Sequence, residues 1–268
     1  TEPVFQEWMD RGLDVLQAQV SHDVRALWLG QVPDADMLLK QPSNQLPLIM
    51  IVEYALAQLC LSWGVTPAAV VGHSMGENTA ACLAGVMRFE DCIGLVLLRG
   101  QLMDSVPAGG MLSVPLSAPD VEAVLAEGLH GGVDIASVNA PTLTVVSGPD
   151  AALIKLADHL QKMEVETQRV PINIAAHSAM LDPVLEQFRA YLVSIPLAAP
   201  TLPIISNRTG KTLSDAEAQS PDYWVQHLRN AVRFADCMAT LTEEQNRVYL
   251  EVGPGKTLSS LARMQPKI

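Results

Sequence analysis

Aromatic residues make up only 4% of this 268-residue chain, and charged residues only 17%. Lysine and arginine number 17 against 29 aspartates and glutamates, a formal net charge of −12. A nucleic-acid binder needs a basic face to neutralise phosphates, so that class is set aside. Cysteine is scarce and scattered: Cys60, Cys82, Cys92 and Cys237 form no C-x-x-C pair and have no histidine at metal-ligand spacing. That argues against a disulfide framework and a structural metal, and buried free thiols fit a reducing cytoplasm. No apolar run approaches the roughly twenty residues that a membrane span needs. The start, Thr1-Glu2-Pro3-Val4-Phe5-Gln6, has neither the basic nor the apolar region of a secretory signal and reads as a piece of something longer. Aliphatic residues are plentiful, and a 49% hydrophobic content suffices for one large core or for two unequal lobes sharing a cleft. The composition is that of an α/β protein.

Periodicity and punctuation predict helices over residues 4–28 and 48–63, the second stopped by Gly64. A further helix over 92–103 is apolar apart from Arg99 and Gln101. Then the character changes: a strand at 111–114, a helix at 119–127, strands at 133–138 and 143–146, a helix at 149–162 and a strand at 166–170. That order, β-α-β-β-α-β, predicts a small ferredoxin-like lobe over residues 110–172, inserted into a larger one. The larger lobe resumes with a strand at 202–206, a helix start at 221–228 and a strand at 248–252 that ends in Gly253-Pro254-Gly255.

Between the second helix and the third, the apolar run Ala68-Ala69-Val70-Val71 gives way to Gly72-His73-Ser74-Met75-Gly76 and then to a helical stretch with small residues at Ala80, Ala81, Ala84 and Gly85. A serine between glycines at a strand-to-helix turn is a nucleophile elbow, which lifts the hydroxyl above the sheet edge. The N–H groups of the new helix then face the place where an oxyanion forms, which suits acyl transfer. A serine hydroxyl is a weak nucleophile at neutral pH and needs a base, usually histidine. His73 adjoins the serine and is expected to point away and brace the turn; His22, His130 and His159 lie in surroundings that look exposed. His177 and His227 remain, and the apolar stretch around His177, at the junction of the two lobes, favours it. Arg99 either pairs internally with Glu77, Glu90 or Asp104 or waits for a substrate carboxylate, which its planar fork can hold twice over.

Five stretches in order, Gly72-His73-Ser74-Met75-Gly76-Glu77, Arg99-Gly100-Gln101-Leu102-Met103, Ala176-His177-Ser178, His227 to Phe234 and Glu251-Val252-Gly253-Pro254-Gly255, resemble the malonyl-CoA:acyl carrier protein transacylases. Within that family the chain is most similar to the acyltransferase domain of a modular polyketide synthase. The resemblance implies an α/β-hydrolase-like large lobe of residues 1–109 and 173–268, with the ferredoxin-like small lobe of 110–172 inserted. It implies Ser74 as the acylated nucleophile, His177 as its base, the Met75 backbone as oxyanion donor and Arg99 as the grip on a malonyl carboxylate. Some family members carry a glutamine whose backbone carbonyl orients the histidine; His227 stands at that position here. The implied partners are an acyl carrier protein and neighbouring synthase domains, with neither nucleic acid nor membrane. The implied substrate is a CoA thioester, its acyl group passing to phosphopantetheine on the carrier, with no bound cofactor and no metal.

Two departures from the family pattern stand out. Members begin with a strand ending in a Gly-Gln-Gly-x-Gln loop, and none precedes Glu2-Pro3-Val4-Phe5, so the native chain is expected to extend before Thr1 and the piece alone to be weak or inactive. The stretch before the histidine commonly reads His-Ala-Phe-His for malonyl and Tyr-Ala-Ser-His for methylmalonyl, whereas Ile174-Ala175-Ala176-His177 matches neither. Met75 resembles the bulky residue of malonyl enzymes, while Ala176 makes room for an α-methyl group; the balance favours malonyl. The rival readings are an α/β-type serine hydrolase (esterase or thioesterase), with His227 as base and Asp134, Asp150 or Asp158 as acid, and a weakened docking domain that lacks its N-terminal strand.

Overall fold

A computed structural model describes residues 2–128 and 131–266, which leaves His130 outside the described residues. In chain order the helices are α1 (Pro3–Gln17), α2 (Val24–Trp28), α3 (Ala35–Leu38), α4 (Pro42–Ser62), α5 (Met75–Leu83), α6 (Phe89–Ser105), α7 (Ala118–Ala126), α8 (Asp150–Lys162), α9 (Leu185–Ser194), α10 (Asp215–Ala218), α11 (Pro221–Arg229), α12 (Phe234–Leu241) and α13 (Thr257–Arg263). The strands are β1 (Val70–Val71), β2 (Gly110–Val114), β3 (Asp134–Ala140), β4 (Leu143–Gly148), β5 (Gln168–Arg169) and β6 (Ile204–Ile205), and a 3₁₀ turn covers Ala179–Val184.

Several expectations change. The helix expected over 4–28 is two, α1 and α2. Between them the Gln17 side chain bonds the His22 carbonyl and the Val24 N–H, both at 2.9 Å, and Asp23 caps α2 by accepting from Ala26 N–H at 2.9 Å. Such side-chain bonds offer the backbone an alternative to continuing the helix. The helix expected from 48 begins at Pro42 and takes Pro47 inside it. At 21 residues and mean hydropathy 1.4, α4 is long and apolar enough by length and composition to cross a membrane, contrary to the expectation that no run approaches that size. It packs against α1 and α6 as a core helix, with Met50, Ile51 and Ala55 fully buried. The strand expected at 248–252 does not form: Val248 is 94% exposed, and among the described residues no neighbouring strand offers backbone groups to pair with it.

β2 to β5 make one antiparallel sheet in the order β3-β4-β2-β5, with Leu112 opposite Val146 and Arg169. This is the element order and sheet order of a ferredoxin-like lobe. Alternate residues of β2, Leu112 and Val114, meet Val121 and Val124 of α7 and Leu153, Leu156 and Leu160 of α8 in a separate small core. β1 and β6 pair in parallel, Val70 with Ile204, beneath the elbow. The two parts are joined through the outer edge of β3: Val138 N–H donates to the Val232 carbonyl at 2.8 Å and Val232 N–H to the Ala136 carbonyl at 2.9 Å. An edge strand that would otherwise lie open is thereby covered.

The main core gathers α1, α4, α5, α6, α9 and α11, with Trp224 and Phe188 fully buried in it. One close crossing brings Gly100 of α6 onto the start of α4, where a Cβ would lie 2.4 Å from the Pro42 carbonyl oxygen and 2.6 Å from Ser43 Cα. Those are backbone atoms and cannot rotate aside. Gly100→Ala is therefore expected to lose about 2 kcal/mol of stability, overpacking of ~3 kcal/mol less the ~1 kcal/mol that alanine's helix propensity returns. A urea melt checks it, by a lower midpoint at unchanged slope.

Candidate active site

The turn from β1 into α5 is tight because of its first glycine. A Cβ on Gly72 would sit 2.0 Å from the Gly76 carbonyl carbon and 2.1 Å from Glu77 N, whereas one on Gly76 would meet open space. Of the two glycines that flank the elbow, the structure requires only Gly72 for the close approach. The strain falls on the serine itself, with φ +54° and ψ −119°, a conformation costing a non-glycine residue roughly 1–3 kcal/mol. Ser74 thus stands at the N-terminus of α5. The Met75 N–H has no acceptor among the described residues and lies where the helix dipole favours negative charge.

Ser74 Oγ lies 2.6 Å from His177 Nε2 and accepts a hydrogen bond from Arg99 Nη2 at 2.7 Å. With the guanidinium donating to it, the hydroxyl has its own proton to give to Nε2. His177 is 2% exposed, and it too has positive φ, +58°. Burial lowers its pKa to about 3, the Arg99 and His73 charges push the same way, and the backbone of Asn230 and of His227 favours the protonated form. The imidazole is therefore neutral at physiological pH, and Nε2 is free to accept. Ser178 steadies the histidine loop by donating to the Ala175 carbonyl at 2.7 Å, and Ala179 N–H donates to Asp134 Oδ2 of β3 at 2.7 Å.

Arg99 is 1% exposed. None of the internal partners expected from the sequence bonds it: Glu90 pairs with Arg11 at 2.5 Å, Asp104 accepts from Ser43 N–H, and Glu77 acts on Arg99 only through its field. The contact that sequence reasoning missed is Asn78, whose Oδ1 accepts from Arg99 Nη1 at 3.0 Å. Arg99 Nε and Asn78 Nδ2 remain buried without partners. Burial pulls the guanidinium down to about 10, partly offset by Glu77. Glu77 is fully buried, accepts from the Tyr223 hydroxyl and from Asn207 N–H at 2.6 Å, and is pushed by burial up to about 7.

The remaining histidines separate cleanly. His73 turns away from the serine toward β3, where Nε2 lies 2.8 Å from Asn139 Oδ1, and packs on Phe234. His227 is buried with Nε2 3.8 Å from Glu77 Oε2 and no hydrogen bond on either ring nitrogen, so burial first and Arg99 second hold its pKa well below the usual value. No hydrogen bond joins its ring to Ser74, and His177 Nδ1 is buried without a hydrogen-bond partner among the described residues; the His227 backbone acts on His177 only by favouring its protonated form. His22 is exposed, and His159 faces Glu127 at 3.5 Å. Asp134 and Asp150, offered as the acid of a hydrolase, pair instead with Arg229 and Arg169. Among the described residues no three His, Cys, Asp or Glu side chains cluster so as to hold a metal ion.

The Arg99 charge is the second cause of the low His177 pKa. In Arg99→Ala the imidazole is thus expected to take up its proton at a higher pH than about 3, followed by imidazole carbon and nitrogen shifts during an acid titration. An unchanged midpoint would remove the charge coupling. The same shift has a stability consequence: below about 6.5 the unfolded chain binds a proton that native His177 refuses, so stability falls as pH drops from there toward the folded value.

The acyl transferase domain family matches residues 1–264. The PKS-NRPS hybrid synthetase acdB of Aspergillus candidus is 40% identical over 226 residues, 84% of this chain and 9% of its own length. The polyketide synthase GfsA of Streptomyces halstedii is 37% identical over 268 residues, 97% of this chain and 4% of its own. Among solved structures, the acyl transferase domain of ZmaA is similar at 35% identity with a TM-score of 0.91, covering 98% of this chain and 61% of that one. FabD from Acinetobacter baumannii is similar at 27% identity and 0.85, covering 98% and 84%. The chain thus spans under a tenth of either synthase. It shares with these structures an α/β-hydrolase-like large lobe and a ferredoxin-like small one. With the family matched across residues 1–264, this chain belongs to the acyl transferase domains, of the type found in polyketide synthases and malonyl-CoA:acyl carrier protein transacylases.

Proposed function

We propose that this chain moves an extender acyl group, malonyl in preference to methylmalonyl, from CoA to the phosphopantetheine thiol of an acyl carrier protein through an acyl-Ser74 intermediate. The observation that carries the reading is Ser74 Oγ held between His177 Nε2 at 2.6 Å and Arg99 Nη2 at 2.7 Å. Ser74 gives its proton to His177 Nε2 as Oγ attacks the thioester carbonyl. The Met75 N–H meets the oxyanion, a contact typically worth roughly 3 to 4 kcal/mol. The C–S bond breaks and the CoA sulfur takes the proton from Nε2. The carrier's thiol then gives its own proton to Nε2 as its sulfur attacks the ester, and Ser74 Oγ recovers the proton as the C–O bond breaks. The His227 backbone helps to orient the imidazole, so a Ser-His dyad suffices.

Arg99 gives the preference for a diacid. It is a buried guanidinium whose Nε has no partner, and a malonyl carboxylate supplies the anion that its surroundings lack. That anion would also cancel the charge that holds His177 neutral, easing formation of the imidazolium just when the base must carry a proton. Ala176, with Met75, bounds the acyl pocket in this reading; Ala176 packs between the main core and the cluster of Met111, Ala136 and Val145. The lobes are taken as residues 1–109 with 173–268 and residues 110–172, the acyl carrier protein and neighbouring synthase domains as partners, and the cytoplasm as the place of work. The free thiols of Cys60, Cys82, Cys92 and Cys237 support that last assignment. Of Arg208, Lys211, Arg229 and Arg233, cations suited to a basic rim for an acidic carrier, Arg229, Arg233 and Lys211 lie beside acids, with Arg233 at 2.6 Å from Asp236; Arg208 alone of the four has no carboxylate partner among the described residues.

Intact-mass measurement after mixing with a panel of acyl-CoA thioesters is the direct test. The expected result is a malonyl adduct on the protein, absent from Ser74→Ala and much reduced in His177→Ala; full loading of His177→Ala would favour the hydrolase arrangement instead. Filling the pocket gives a second check. Ala176→Phe is expected to lower methylmalonyl loading more than malonyl loading, by about tenfold for the one methyl group at stake; proportional loss of both would remove Ala176 from the pocket.

A further inference from the structure

The elbow is strained, and something outside it must hold it. Asn207, in the loop that follows β6, is 1% exposed and reaches the turn from across the sheet. Its Nδ2 donates to the Gly72 carbonyl at 2.8 Å and its Oδ1 accepts from Ser74 N–H at 2.9 Å, so a single amide spans the residues on either side of His73. Its main chain is fixed as well: its N–H donates to Glu77 Oε2 at 2.6 Å and its carbonyl accepts from Arg233 N–H at 2.8 Å. The amide can face only one way, because the opposite orientation would set NH₂ against N–H and oxygen against oxygen.

We propose that Asn207 is a positioning residue for the nucleophile, clipping the elbow so that Ser74 Oγ stays within reach of His177 while the Met75 N–H is left as the donor open to an oxyanion. The proposal rests on the reading of Ser74 as nucleophile. A backbone forced to φ +54° relaxes unless its groups find better partners in the strained form than in the relaxed one. Asn207 supplies two such partners, and both are lost if the turn flattens. It also occupies the Ser74 N–H, which would otherwise compete with Met75 for a developing anion. Glu77 holds the clip in place through the Asn207 N–H and is itself held by Tyr223, so the elbow is anchored to α11 through three buried side chains. An aspartate cannot replace the asparagine, since its carboxylate would repel the Gly72 carbonyl.

The test compares wild type, Asn207→Ala and Asn207→Asp for acyl-Ser74 formation from malonyl-CoA and for labelling of Ser74 by a small fluorophosphonate, with thermal melts to establish folding. The expected result is a fall of about a hundredfold in kcat and in the labelling rate of folded variants, with KM for malonyl-CoA changed by less than about twofold, because the Arg99 grip is untouched. Labelling within about threefold of wild type, or a rise in KM at unchanged kcat, overturns the proposal. Failure of both variants to fold overturns it too, by making Asn207 a structural residue. Wild type that takes the phosphonate at Ser74 but never an acyl group would sink the acyltransferase reading and leave the clip standing, so the two failures are distinguishable.

Discussion

A guanidinium buried to 1% exposure beside a serine hydroxyl is the constraint around which this molecule is arranged. Placing that charge out of water costs several kcal/mol, and what surrounds it compensates only in part. Asn78 takes one nitrogen, Ser74 Oγ another, Glu77 contributes its field, and Nε is left without a partner. The consequences spread through the site. Beside burial, the Arg99 charge lowers the pKa of His73, His177 and His227 alike, so one cation helps to keep three imidazoles neutral. It draws in return on the field of Glu77, whose own burial pushes its pKa to about 7. A site in this state is short of one negative charge. An acyl group that carries a free carboxylate completes it, and one without leaves it as it is.

That deficit bears on His177 as well. A histidine near pKa 3 is an able acceptor only in the sense of being unprotonated; holding a proton is uphill for it. The base of an acyl transfer must hold one transiently between nucleophile and leaving group. Burial is the larger cause of the low value and does not change when the substrate enters, but the Arg99 contribution does. In the proposed reading, a carboxylate held by Arg99 would also make proton transfer to His177 easier, so that selection and activation would share one contact.

What could be read in the sequence follows a physical rule. Ser74, Met75 and Gly72 are contiguous, and their chemistry is local, so the elbow is legible from five residues. Arg99 and His177 were legible as a charge and an imidazole in apolar surroundings, together with the family resemblance. The groups that hold them were not. Asn78, Asn207 and Tyr223 look like ordinary polar residues, and their roles arise from contacts across the fold, Asn207 reaching Ser74 over 133 positions. The same rule holds for the fold. The small lobe has strands with clear alternation and regular helices between them, and its order was legible. The two strands beneath the elbow were legible as apolar runs at 68–71 and 202–206, but as two-residue strands they carry no signal of their parallel pairing. Residues 248–252 carry a strand pattern with no strand beside them, and a pattern without a partner does not make a ladder.

The Ser74–His177 contact spans two parts of the chain that meet through the small sheet, which makes the docking of that sheet part of the site's geometry. Ser74 sits on β1 and α5, while His177 sits on a loop that leaves β5 of the small sheet and is pinned back to that sheet by the bond from Ala179 N–H to Asp134. Arg229 at the end of α11 reaches both Asp134 and Asp182, tying the same loop to the large core. β3 adds the two backbone bonds to Val232, and Asn139 at its far end bonds His73, the neighbour of Ser74. Both partners are strained, and strain persists only where the surroundings over-determine it. A shift of the small sheet by one ångström would therefore act on both ends of the Ser74–His177 contact at once, through Asn139 and His73 on one side and through Asp134 and Ala179 on the other. The 2.6 Å separation is a property of the docked lobes rather than of either residue.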